Sequence, residues 1–137
     1  MVSTGIALAF GSLLLFGGWA VAAGFATRSI SAANAVFLSY VASIGVAGAY
    51  VVAARQPITG TRADAGFALA SGAFLAAGSI SFYAALTRGS MAVVSAIAAL
   101  YFVVPAVVGV AYLDVAVSPT NVVGLVLAAV AVVLIAL

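Results

Sequence analysis

Met91-Ala-Val-Val-Ser-Ala-Ile-Ala-Ala-Leu-Tyr-Phe-Val-Val-Pro-Ala-Val-Val-Gly-Val-Ala-Tyr-Leu113 is continuously apolar and carries no charge. One α-helix of about 20 apolar residues covers the hydrocarbon of a bilayer, so this stretch reads as a membrane span. The rest of the chain repeats the pattern. Four Arg and two Asp cut it into similar runs, from about Thr4 to Ala26, Asn34 to Ala54, Ala65 to Leu86 and Thr120 to Leu137. Outer-membrane strands are excluded, because they alternate and last only about 10 residues. The expected fold is all-α: one domain, residues 1–137, forming a polytopic bundle of five transmembrane helices.

Hydrophobic residues make up 68% and charged residues 4% of the 137, where a soluble domain has about 25% charged. Such a chain is expected in the cell membrane, multi-pass, with the lipid bilayer as its surroundings. It has no Lys, Glu, His or Cys. Disulfide frameworks, zinc sites, Ser-His-Asp triads and paired-Glu hydrolases are thereby excluded. No enzyme chemistry, cofactor or metal is expected. The pI near 9.4 comes from a net charge of +2 without a basic cluster, so nucleic acid is not an expected partner. No positive residue precedes the first span, whose apolar run is too long for a signal peptide, so it is expected to stay.

Helix punctuation fits these spans. Ser118-Pro119 offers an N-cap followed by a proline in the first turn, where its missing N–H costs nothing. Thr61 and Asp64 have the spacing of a capping pair, with the acid at the positive end of the helix dipole. In Thr87-Arg88-Gly89-Ser90, Gly89 can end the third helix and Ser90 can cap the fourth. A connection so short predicts an antiparallel hairpin of those two helices. Arg28 and Arg88 fall on one side of the membrane, Arg55 and Arg62 on the other. Acidic residues barely affect insertion, so positive-inside reasoning gives no orientation. Two readings stay open: a chance tie, or insertion both ways with pairing of inverted copies.

Within the spans, the informative residues are Trp19, Tyr40, Ser43, Ser71, Ser79, Ser81, Tyr83, Ser95 and Tyr101. Serines in spans commonly bond their own helix or a neighbouring one. Ser79 and Tyr83 are one helical turn apart, and Tyr83 and Tyr101 fit a cavity lining as well as they fit packing. Tyr50 and Tyr112 near span ends fit an interfacial belt. Gly17-Gly18 beside Trp19 permits close approach or bending. Gly45, Gly48 and Ala49, Gly72 with Ala76, and Gly124 with Ala128 are small-residue patterns suited to close packing. Pro105 removes a hydrogen bond inside the fourth span and should kink it near Tyr101 and Phe102. The candidate substrate pathway is Gly17, Trp19, Ser79, Tyr83, Tyr101 and Pro105.

Ser81-Phe-Tyr-Ala-Ala-Leu-Thr-Arg-Gly-Ser-Met-Ala-Val-Val-Ser-Ala-Ile-Ala-Ala-Leu-Tyr101 resembles the third-to-fourth helix junction of EamA-type domains in the drug/metabolite transporter superfamily. Val117-Ser-Pro-Thr-Asn-Val-Val-Gly124 resembles the Ser-Pro start of that family's last helix, and Leu15-Phe16-Gly17 its first-helix Trp-Gly, with Phe for Trp. The resemblance covers essentially the whole chain and implies a transporter. Departures are Leu113-Asp-Val-Ala116 where the family has Gly-Glu-Arg, with Asp114 one position early. Phe102 stands where a proline follows the Leu-Tyr pair, and Pro105 comes three residues later.

Transporters of this family usually carry two such domains, so the resemblance implies a partner domain from another chain. The expected partners are a second copy, making a homodimer that the arginine tie suggests is antiparallel, and a small-molecule substrate. Inverted pairs support alternating access. A cavity of Trp19, Ser79, Tyr83 and Tyr101 has no fixed charge and suits a neutral or zwitterionic metabolite. The small multidrug exporters of the same superfamily use an acid in the first helix that this chain lacks. Proton antiport through a buried carboxylate is therefore not expected. The alternative is a non-transporting membrane subunit that binds another protein.

Overall fold

The computed structural model describes residues 3–55, 57, 59–112 and 118–137. The expected end of the fourth span at Leu113, and the Leu113–Ala116 stretch with Asp114, lie outside the described residues. The helices are α1 (Thr4–Ala26), α2 (Ala32–Ala54), α3 (Arg62–Leu86), α4 (Met91–Ala99), α5 (Val103–Tyr112) and α6 (Pro119–Ala136), with a 3-10 turn at Leu100–Phe102. Taking α4, the turn and α5 as one segment, five segments among the described residues are long and apolar enough to cross a membrane. The protein is an all-helical membrane protein, and no strand occurs among the described residues. Lipid offers no hydrogen bonds to the backbone, so each span must satisfy its own N–H and C=O groups, and the helix does this.

Side-chain caps begin most of the helices. Ser3, Ser31, Thr61, Ser90 and Ser118 each accept a hydrogen bond from a backbone N–H in the first turn. Thr61 and Asp64 form a full capping box: the Thr61 N–H donates to Asp64 Oδ2 at 2.8 Å, and Thr61 Oγ accepts from the Asp64 N–H at 3.2 Å. That box starts α3 at Arg62, three residues before the apolar run itself begins. Gly60, with φ of 149°, supplies the turn ahead of it. Thr61→Ala removes the cap and should cost about 1 kcal/mol. The measurement is the midpoint of detergent-induced unfolding, and an unchanged midpoint would contradict the assignment.

The other ends differ from a simple glycine stop. Thr87, not Gly89, is the C-cap of α3; it stays right-handed, and the Arg88 N–H closes a tight turn on the Ala85 carbonyl at 2.9 Å. The Arg88 guanidinium also donates to the Ala84 carbonyl at 3.4 Å, placing a cation at the negative end of the helix dipole. Arg55 caps α2 in the left-handed region, with φ of 48°, a conformation that costs an arginine roughly 1 kcal/mol.

The chain divides into two compact units, Met1–Arg88 and Gly89–Leu137. In the first, α3 packs on α2 and α1. Its core is small: Ala23, Ala35, Val36 and Tyr83 are buried, and Trp19, Tyr40 and Phe82 pack against them. Large apolar side chains such as Phe74, 80% exposed, point outward. In a bilayer this is the low-energy arrangement, because lipid tails solvate such groups. Gly17, Gly18, Gly45, Gly48 and Gly72 do not mediate close packing here. A Cβ built at any of them meets no neighbouring atom within 4 Å. Small residues at Ala23, Ala32 and Ala35 line the contact instead.

In the second unit α6 packs on α4. The α-helical pattern gives way to the 3-10 turn at Leu100–Phe102, just before Pro105. Pro105 has no N–H for the Tyr101 carbonyl, and its ring crowds that carbonyl, so the preceding turn tightens. Gly124 also meets nothing within 4 Å. An apolar cleft of about 400 Å³ lies between α5 and α6, lined among others by Val107, Val110, Val122 and Val126.

Candidate functional site

The first unit holds a cleft of about 800 Å³ lined by residues of α1, α2 and α3. Leu15, Phe16 and Trp19 come from α1, Tyr40, Ser43 and Tyr50 from α2, and Leu75, Ser79 and Tyr83 from α3. Among the described residues, no charged one lines it. Leu15, Ser43 and Leu75 stand near the middle of their helices. Trp19, Tyr40 and Ser79 lie about one helical turn from the middle, toward the end shared by the α1 C-terminus and the α2 N-terminus. Tyr50 lines the opposite end, so it belongs to the cleft as well as standing near a span end.

Two features define the off-centre end. The first is a hydroxyl pair: Tyr40 Oη and Ser79 Oγ are 3.0 Å apart, and either can donate. A phenol this deep in a span needs a partner on another helix, since its own backbone carbonyls are out of reach. The second is an aromatic cluster. The Trp19 indole stacks on Phe82, with centroids 4.9 Å apart and planes 22° apart. Tyr83 meets Trp19 at 5.8 Å, tilted by 53°, and Phe82 edge-on at 6.3 Å. Tyr83 is 3% exposed and Ser79 7%. The walls are therefore held by packing, while the hydroxyls supply the polarity.

Of the six pathway residues expected from the sequence, the structure brings Trp19, Ser79 and Tyr83 together. Gly17 does not line the cleft; Phe16 and Trp19 on either side of it do. The open space around Gly17 follows from its place on the exposed side of α1. Tyr101 and Pro105 belong to the second unit, where Tyr101 is 70% exposed within the 3-10 turn. Ser43, Ser71 and Ser81 donate to carbonyls of their own helix at 2.9, 2.9 and 3.1 Å, while in the second unit the Ser95 hydroxyl is buried with no hydrogen-bond partner among the described residues. A partner on a different helix separates Ser79 from them.

Tyr40 and Phe82 were absent from the expected pathway. Tyr40 carried a usable signal, since a tyrosine well inside a span requires an acceptor at matching depth, and Ser79 is at that depth. Phe82 carried none, because one phenylalanine among many apolar residues has no distinguishing pattern.

The family model for EamA-like transporters matches residues 3–137, which takes in all five membrane-length segments. The chain belongs to the EamA-like transporter family. No curated protein and no solved structure gives a significant match. EamA-like proteins are membrane transporters of the drug/metabolite type rather than enzymes, and the helix count is that of a single EamA half.

Proposed function

We propose that this EamA-like protein is a half-transporter that pairs with a second copy in the cell membrane and moves a small neutral or zwitterionic metabolite. The observation that carries the reading is the cleft of α1–α3, where aromatic side chains and the Tyr40–Ser79 hydroxyl pair meet with no charged residue among the described ones. Substrate would bind there by stacking and hydrogen bonding, off the membrane centre. The balance of Arg28 and Arg88 against Arg55 and Arg62 favours an antiparallel pair. Such a pair would place two off-centre clefts facing opposite sides, as alternating access through inverted repeats requires.

Transport in this reading is facilitated flux or exchange. Proton antiport uses a carboxylate that trades a proton for substrate, and none lines the cleft among the described residues. Proteoliposomes loaded with candidate amino acids and organic cations should show counterflow of a neutral or zwitterionic solute with no dependence on a pH gradient. Uphill movement of a cation driven by the gradient alone would overturn the coupling. Absence of counterflow, together with stable capture of another membrane protein, would favour a non-transporting subunit.

A further inference from the structure

We infer that the cleft of α1–α3 selects a flat, uncharged molecule, with its face against Trp19 and its hydrogen-bonding edge at Tyr40 and Ser79. The inference rests on the transport reading above and narrows it, by removing zwitterions from the substrate class.

Flatness follows from the aromatic cluster. Trp19 lines the cleft and Phe82 does not, while the two rings stack at 4.9 Å with only 22° between planes. Phe82 therefore backs one face of the indole, while Trp19 itself borders the cleft. Tyr83 tilts against the indole at 5.8 Å and fixes its angle. A planar ring can lie on such a wall with offset stacking, whereas a branched aliphatic solute gains nothing from the held plane.

The polar edge follows from the hydroxyl pair. Ser79 sits one helical turn from Tyr83, about 6 Å along the same face of α3. Trp19, Tyr40 and Ser79 line the same cleft, so a ring held on Trp19 shares that space with the pair. Each hydroxyl can both donate and accept. The Tyr40–Ser79 bond can open and re-form to one ligand group that both donates and accepts, so the count of hydrogen bonds is kept.

Neutrality follows from the lining. A zwitterion would bring a carboxylate and an ammonium into a cleft that no charged residue lines among the described residues. Backbone groups of the surrounding helices are already paired within those helices and cannot take their place. An unpaired charge at that depth is costly, and two charges held apart by a planar ring cannot neutralise each other.

Trp19 is the only tryptophan in the chain, so intrinsic fluorescence reports from the wall of the site itself. The probes are nicotinamide, a neutral planar amide, and nicotinate, the same ring with a negative charge, added to protein in lipid nanodiscs. Nicotinamide should quench Trp19 emission saturably, and nicotinate should bind at least about tenfold more weakly. Tyr40→Phe and Ser79→Ala should each weaken nicotinamide about tenfold, with the emission maximum of the free protein unchanged. Ser79→Ala carries the test alone if Tyr40→Phe does not fold.

Linear, unsaturating quenching that is equal for both probes would overturn the inference. So would unchanged affinity in both variants, the result expected if the hydroxyls only hold α2 to α3. Saturable nicotinamide binding without any flux would leave this site standing and refute the transport reading. Flux of a zwitterion with no nicotinamide binding would do the reverse.

Discussion

Tyr83→Ala should destabilise the first unit strongly and reduce any transport through it. Tyr83 is 3% exposed and is the one large side chain in a buried core otherwise made of Ala23, Ala35 and Val36. Truncation opens a cavity between α1, α2 and α3 and removes ring contacts to Trp19 and Phe82. Loss of a core aromatic costs about 3–5 kcal/mol in a soluble protein. The lower part of that range, about 3 kcal/mol, applies here, because lipid rather than water surrounds the opened helices. Such a loss is a large share of a marginal stability of about 5–15 kcal/mol. The checks are the detergent-unfolding midpoint and Trp19 emission, which should fall and shift once the indole loses its neighbour. Tyr83→Phe keeps the ring and should stay within about 1 kcal/mol of the parent. Equal stability of the alanine and phenylalanine variants would show that the ring packing is not what holds α3 in place.

Adding three lysines to the segment between Arg55 and Arg62 should fix the protein in one orientation and reduce transport at least about tenfold. Positive residues in short loops hold their side of the membrane in the cytoplasm. With two arginines on each side, the unmodified chain has no such bias. An antiparallel pair needs both orientations in comparable amounts, so a chain forced one way loses its inverted partner. Reporter fusions at both termini, with counterflow measured in parallel, check the two parts together. A single fixed orientation in the unmodified protein would remove the antiparallel pair, while leaving the cleft and its chemistry as they are.

Much of this was legible from residue order. Spans are readable because each helix in lipid must satisfy its backbone alone, a local requirement that a run of apolar residues records directly. Caps at Ser90, Thr61 and Ser118 were readable for the same reason, since each involves partners only three residues away. The 3-10 turn before Pro105 likewise follows from a clash within one turn of helix.

Contacts between helices were less legible. Glycine patterns at Gly45, Gly48, Gly72 and Gly124 suggested close approach, yet among the described residues no neighbouring helix comes within 4 Å of a Cβ built there. Such patterns state what a face permits, and in an alanine-rich chain many faces permit the same. The bond between Tyr40 and Ser79, 39 positions apart in sequence, depends on how α2 and α3 are rotated and offset. Nor could order alone set Phe82 behind Trp19, or turn Gly17 away from the cleft that its neighbours line.

Sequence by itself determined that this is a helical membrane protein of five spans, with its charges at the ends, because transfer into lipid is decided segment by segment. Only the tertiary structure decided which hydroxyls and rings meet. Helix faces in a bilayer are nearly equal in polarity, so side-chain packing and a single hydrogen bond select among them.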